Sequence, residues 1–318
     1  MEKFSQQVRD EVAHLELTEC HQCIKAELAA ILHMSGSIHL TGLQKLALSV
    51  TTETAGVARR LVKLLRACSS LQAEIRVENL GKLGKGHRYR LLLPAQTGLV
   101  ELLYDLGVLT REHFLEGGIN SELVKKTCCR ASFLRGSFLA GGSITDPQKS
   151  TYHLEMVTHS DEFANGLSYL MNLVRLKAKI GHRKNSFLVY LKDSEAIAEF
   201  LSLIQANTAV LRLEEVKVIK GLRGEVNRQM NCETANMEKA LTAAWEQVEL
   251  INQLLNGSGL SVLPTNLRHT AELRLKYPEA TLKELGEYHL PPISKSAVNH
   301  RLRLIREYAK KFSNEAGI

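Results

Sequence analysis

Two stretches of the chain share one hydrophobic rhythm. Apolar residues recur at helical spacing over residues 23–35 and again over 129–141, and each run stops at Gly-Ser-Ile. Alternating, strand-like segments follow, KLALSVTTE in the first stretch and YHLEMVTHS in the second. Val57, Leu61, Leu64 and Leu65 then mark one face of an amphipathic helix over 54–68, with a counterpart over 160–175. AEIRVEN and RYRLLL predict two more strands in the first stretch, as AKIGH and FLVYLK do in the second. A helix closes each stretch, near 97–106 and 193–204.

The correspondence is a sequence repeat. At an offset of 106 positions, Cys23 falls on Cys129, Leu28 on Leu134, and Gly36-Ser37-Ile38 on Gly142-Ser143-Ile144. The same offset pairs Leu48 with Leu154, Thr52 with Thr158, Ala58 with Ala164, Leu61 with Leu167, and Leu64 with Leu170. A duplicated α-β-β-α-β-β-α unit is therefore expected. Its leading helices carry small residues four apart, Ala26 and Ala30 in one, Ser132 and Gly136 in the other. An internal glycine weakens a helix by up to about 1 kcal/mol, so its presence calls for a reason. Two such stripes let the helices approach more closely than the usual ~8–10 Å, leaving the two sheets side by side as one saddle.

A different pattern begins near residue 265. A helix over 265–276 ends before Pro278, and Thr281-Leu282-Lys283-Glu284 reads as a capping box opening a short helix to about Tyr288. Pro291-Pro292 interrupt the chain, and Ser294 can cap a last helix running to about Phe312. Val298, Leu302, Ile305 and Ala309 form its apolar stripe, whereas Lys295, Asn299, Arg303, Arg306 and Lys310 form a cationic one. Three helices with a tight turn between the last two predict a helix-turn-helix.

Charge adds a partner to this picture. The net charge is +7, and residues 265–312 alone hold ten Lys or Arg against five Glu. Solvated faces usually mix signs, so a one-sided cationic helix points to nucleic acid. The leading end of such a helix enters the major groove, which places Ser294, Lys295, Ser296, Asn299, His300, Arg301, Arg303 and Arg306 as candidate DNA-binding residues. Asn299 and Arg303 are the expected base readers, since Asn bonds adenine and Arg guanine in bidentate fashion.

Composition excludes other classes. No apolar run approaches the ~20 residues that cross a bilayer, and MEKFSQQVRDEVAHLE has no signal-like apolar core. A cytoplasmic, nucleoid-associated monomer is expected. Six cysteines are too few for a disulfide scaffold. Cys20-His21-Gln22-Cys23 has zinc-like spacing, but no second Cys-x-x-Cys or His-x-x-x-His follows, so reduced thiols near a helix start are expected and no metal or cofactor.

Residues 28–36, LAAILHMSG, and 134–142, LRGSFLAGG, together with the strands after them, resemble the LAGLIDADG homing-endonuclease fold. In active members of that family the eighth motif position is an acid, and the two acids hold divalent ions over the scissile phosphates. Here Ser35 and Gly141 stand in those positions. Neither supplies the anionic oxygen that gathers Mg²⁺, and Asp146 is the only nearby acid expected in the second copy, so no catalysis is expected. KAELAAILHMSGSI, FLRGSFLAGGSITDP, VNRQMNCETANMEK and TLKELGEYHLPPISKSAVNHRLR together resemble the WhiA family across essentially the whole chain. That resemblance implies a degenerate LAGLIDADG domain joined to a helix-turn-helix, and a role in sporulation, cell division and chromosome segregation.

The fold class expected is α+β: repeats over 1–110 and 111–225, a helical linker over 226–262 and a helix-turn-helix domain over 263–318. Within it, NLGKLGKGHRYRLLL lacks the order of a nucleotide-binding loop and reads as a hairpin tip. Lys82, Lys85, His87, Arg88 and Arg90, with His182, Arg183 and Lys184 in the second copy, are candidate phosphate contacts, because in LAGLIDADG proteins the equivalent sheet lies along DNA. Arg223 and Arg228 are weaker candidates ahead of a helix expected over 234–255, and NGSGLSVLP reads as a flexible hinge. The function expected is a non-catalytic transcriptional regulator that binds double-stranded DNA. The rivals are a homing endonuclease and a scaffold for a sigma factor or division protein.

Overall fold

The computed structural model describes residues 4–41, 45–79, 87–112 and 115–315. The chain forms two compact units, Met1–Ile219 and Lys220–Ile318.

In the first unit the leading helices are α2 (His21–Ser35) and α5 (Thr127–Gly141). They lie flank to flank because small residues line the seam. Ala26, Ala30 and Ser132 are buried, and a Cβ on Gly136 would stand 2.3 Å from the carbonyl oxygen of Glu27 and 3.0 Å from the Ala30 Cβ. Only glycine admits that approach. Next to it sits a buried ion cluster. Glu27 on α2 receives Arg60, from α3 (Ala55–Cys68), through Nε and through Nη2 at 3.0 Å, and Arg135 on α5 through Nη1 at 3.3 Å. The guanidiniums also donate to carbonyls: Arg60 Nη1 to Leu15 at 2.6 Å and Arg135 Nε to Ile204 at 3.2 Å. One carboxylate thus ties α2 and α3 of its own repeat to the leading helix of the other.

Each repeat carries one four-stranded antiparallel sheet, in the order β1-β2-β4-β3 and β5-β6-β8-β7. The strands are β1 (Gly36–Thr41), β2 (Lys45–Thr52), β3 (Glu74–Asn79) and β4 (His87–Leu93), then β5 (Gly142–Ile144), β6 (Leu154–Thr158), β7 (Lys179–Arg183) and β8 (Ser186–Leu191). Equivalent pairings recur in the two copies, Leu48 with Leu93 and Val50 with Leu91, then Leu154 with Leu191 and Met156 with Val189, although β8 follows β4 by 98 positions and not by the 106 that separate β2 and β6. These residues face α3 and its counterpart α6 (Asp161–Leu173), and α4 (Leu99–Asp105) and α7 (Ser194–Leu203) close the repeats. Both copies contribute to a single buried cluster.

Two helices depart from the sequence reading. The leader taken only as a charged N-terminus forms α1 (Phe4–Ala13), with Phe4, Val8 and Val12 buried at i, i+4, i+8. The helix expected from 234 is one continuous α8 (Asn207–Asn256), so Arg223 and Arg228 lie within a helix rather than ahead of one. Its first turn is capped from α1, where the Glu11 carboxylate accepts from the amides of Thr208 at 2.6 Å and Ala209 at 3.2 Å.

In the second unit, α9 (Thr265–Lys276), α10 (Leu282–Glu287) and α11 (Lys295–Glu315) enclose a core of Leu267, Ala271, Leu285, Val298, Leu302, Ile305 and Ala309. Ile251 and Leu254, from the end of α8, belong to that core, as does Leu263. The segment read as a flexible hinge is therefore fastened: Arg268 donates to the carbonyls of Leu260 at 3.1 Å and Ser261 at 3.0 Å. His289 is buried with its Nε2 3.3 Å from Thr270 Oγ1. Burial, then the positive charges of Arg301 and His269, lower its pKa below the ordinary 6.5.

Three outcomes follow from this packing. Gly136→Ala gains up to about 1 kcal/mol of helix propensity but overpacks against immovable backbone, which costs about 1–3 kcal/mol. A net loss is expected in urea unfolding of the full chain. Glu27→Gln, which strands two buried guanidiniums, is expected to cost about 3–5 kcal/mol by the same measurement. For His289 the unfolded state binds the proton more readily, so stability is full above pH 6.5 and falls as pH drops below it. Amide protection factors in α9–α11, corrected for the intrinsic exchange rate at each pH, should fall between pH 7.5 and pH 5.5, and His289→Gln should flatten that dependence.

Candidate nucleic-acid interface

The last helix is aimed by its neighbours. The capping box forms as the sequence predicts: Thr281 N donates to Glu284 Oε2 at 2.7 Å, and Glu284 N to Thr281 Oγ1 at 3.3 Å. The Thr281 amide draws the Glu284 pKa below its ordinary value. Ser294 Oγ accepts from the Ala297 amide at 3.2 Å, capping α11, and lies 2.9 Å from Ser296 Oγ. Val298, Leu302, Ile305 and Ala309 are buried as predicted, which fixes the helix rotation and turns Lys295, Ser296, Asn299, His300, Arg303 and Arg306 outward.

Within that face the side chains differ. Arg303 Nη2 lies 3.4 Å from His300 Nδ1. Asn299, Arg303 and Arg306 border a groove of about 310 Å³ whose opposite wall is Ala243, Gln247 and Leu250 of α8. Arg306 Nη2 reaches Glu246 Oε2 across it, at 3.2 Å. Arg301 is half-buried and turns back toward α9, with Nη1 3.5 Å from both the Asn266 carbonyl and Thr270 Oγ1. Its place is thus between helices rather than on the open face, and Ser294 is occupied as a cap. The sequence reading did not include the α8 wall or Glu246. The only sign of them is that residues 243–251 lie on the same helix as the core residues Ile251 and Leu254.

At the far ends of the leading helices, Ser35 Oγ donates to the Ile31 carbonyl of its own helix at 2.8 Å. Gly141 is crowded: a Cβ there would meet Met34 Cε at 2.7 Å and the Val157 carbonyl oxygen at 2.8 Å. Asp146 is engaged by Arg212 at 3.2 Å. The nearby acids of the second copy number more than expected, because the β5–β6 register sets Glu155 opposite Ser143, with Ser143 Oγ 3.3 Å and His153 Nε2 3.0 Å from its carboxylate. The equivalent position in the first copy is Ser49, paired with Ser37.

The cations of the sheets are dispersed. Lys82 and Lys85 lie outside the described residues. Arg88 and Arg90 share the outer face of β4, but β3 sets Glu78 opposite Arg88, and Arg90 Nη1 pairs with Glu78 at 3.4 Å. Arg183 and Lys184 are exposed at the β7–β8 turn, where Lys184 has φ 55°. Arg228 is exposed on α8.

The comparisons with known proteins agree along the chain. Residues 21–109 match the WhiA N-terminal LAGLIDADG-like domain, 130–223 the WhiA LAGLIDADG-like domain, and 226–309 the WhiA C-terminal HTH domain. A "Probable cell division protein WhiA" of Heliobacterium modesticaldum is 43% identical over 316 residues, covering 99% of this chain and 98% of that protein. Its namesake in Desulfitobacterium hafniense is 45% identical over 314 residues, covering 98% and 97%. The crystal structure of full-length DUF199/WhiA from Thermatoga maritima shares the fold with a TM-score of 0.61 at 23% identity, over 98% of this chain and 99% of that one. Among the described residues no helix is long and apolar enough to cross a membrane. A duplicated LAGLIDADG-like unit followed by a helix-turn-helix, with relatives this similar over its full length, makes the chain a member of the WhiA family.

Proposed function

We propose that this protein is a non-catalytic, DNA-binding transcriptional regulator acting in cell division and chromosome segregation. The observation that carries the reading is the outer face of α11, where Lys295, Asn299, His300 and Arg303 stand exposed with no carboxylate between residues 294 and 303. Asn299 and Arg303 read base edges in the major groove, and Lys295, Ser296 and the helix N-terminus hold phosphate. Arg301 keeps α11 seated on α9. Arg88, Arg90, Arg183, Lys184 and Arg228 supply weaker, sequence-independent attraction, and Glu78 offsets part of the first pair. The relatives' name, probable cell division protein, supports the cellular role.

The absence of cleavage rests on the helix ends. A serine hydroxyl committed to its own helix and a glycine pressed against Val157 do not gather the divalent ions of phosphodiester cleavage. Asp146 and Glu155 each hold protein partners, and both belong to the second copy.

Sheared chromosomal DNA selected by the full chain supplies a target for anisotropy titrations at fixed salt. Asn299→Ala with Arg303→Ala should weaken binding by about 2–6 kcal/mol, and Lys295→Ala should reduce the salt slope by about one. Unchanged affinity in the double variant would favour the scaffold reading, with a sigma factor or division protein as the partner. A specific nick in the selected DNA with Mg²⁺ would overturn the non-catalytic reading.

A further inference from the structure

Cys20, Cys23, Cys128 and Cys129 gather at the start of the paired leading helices. Their four sulfurs all lie within 4.8 Å of one another, and Cys23 Sγ is 3.6 Å from Cys129 Sγ. We infer that these four thiols form a structural site for a single tetrahedral Zn²⁺ ion.

The spacing favours one ion. Zinc–sulfur bonds of about 2.3 Å in a tetrahedron place sulfurs about 3.8 Å apart, close to the 3.6 Å between Cys23 and Cys129 and inside the 4.8 Å that bounds all four. An iron–sulfur cluster spreads its cysteines further, because its outer sulfurs bind different irons. Sulfur from four cysteines with no carboxylate among them is also the donor set that selects zinc over magnesium or calcium.

The fold explains why two dissimilar motifs meet. Cys23 and Cys129 are equivalent at the repeat offset and sit at the same turn of α2 and α5, so the contact at Gly136 brings them together. Cys20 occupies the N-cap of α2, fixed by its amide donating to Thr18 Oγ1 at 2.9 Å. Cys128 follows Lys126, the N-cap of α5, and stands exposed beside Cys129. The second half-site is a Cys-Cys dipeptide on another helix, so a search for a second Cys-x-x-Cys passes over it.

Electrostatics agree. Four thiols that take up one Zn²⁺ release four protons and leave a complex of charge −2. That charge falls at two helix N-termini, where the positive end of each dipole stabilises an anion. The site is also separate from the old endonuclease positions. Ser35 and Gly141 end the same two helices, 12 residues beyond Cys23 and Cys129, and so lie about 18 Å away along the axis. A metal here fastens α2 to α5 at the end opposite those positions.

The test uses the full chain purified in reductant and incubated with Zn²⁺, or with Co²⁺ as an optical probe. One metal per chain is expected, with cobalt–thiolate charge-transfer and tetrahedral d–d bands, and chelation should lower Tm. Cys23→Ser and Cys129→Ser should abolish binding. Cys128→Ser removes an exposed ligand and spares the core, so loss of the cobalt bands with unchanged circular dichroism separates lost binding from lost folding. Cys68→Ser and Cys232→Ser should retain the metal. A reduced, folded wild-type chain that stays metal-free, a spectrum without thiolate bands, or a Cys23–Cys129 disulfide persisting in reductant would each overturn the assignment.

Discussion

The contact on which the rest of the first unit depends is backbone against backbone, where α5 passes α2 at Gly136. Apolar burial alone would hold two helices at side-chain distance. Removal of the side chain lets them close further, and Glu27, bridging Arg60 and Arg135, makes the closed arrangement specific. The buried charges are tolerable because carbonyls of Leu15 and Ile204 take the remaining guanidinium donors. Two sheets of identical strand order then follow from a repeat whose leading helices have nowhere else to go.

The ends of that helix pair differ in chemistry. At the C-terminal ends a hydroxyl is folded back and a glycine is walled in, so little remains with which to grip a divalent ion. At the N-terminal ends four sulfurs converge. The second unit depends on a different device. Its last helix is rotated by four buried side chains and started by a serine cap, and polar residues are left outward over a stretch that carries no acid.

Much of this was legible in the chain because it is written in periodicity. The 106-residue offset, the alternation of the strands and the 298-302-305-309 stripe all predict elements that the structure contains. What was not legible depends on partners distant in sequence. The amphipathic pattern of α1 is short, with Phe4, Val8 and Val12 interleaved with charge. The middle of α8 carries apolar residues four apart, Val218, Leu222, Val226 and Met230, but Gly221 and Gly224 interrupt the run and mimic a loop. Glu155 reaches its place through strand register, and Arg301 and Arg306 find acceptors on helices 30 to 60 residues away in sequence. No local pattern announces any of these.

The crowding at Gly141 also bears on what that helix end could come to hold. An aspartate at that position would drive its first carbon into a strand carbonyl and a methionine tip, so an acid cannot be seated there by one substitution. Met34 would have to shrink and β6 to shift before a carboxylate could gain anything. The end of α5 is therefore closed to a carboxylate by its neighbours, and no single substitution there builds an acid pair across the two leading helices.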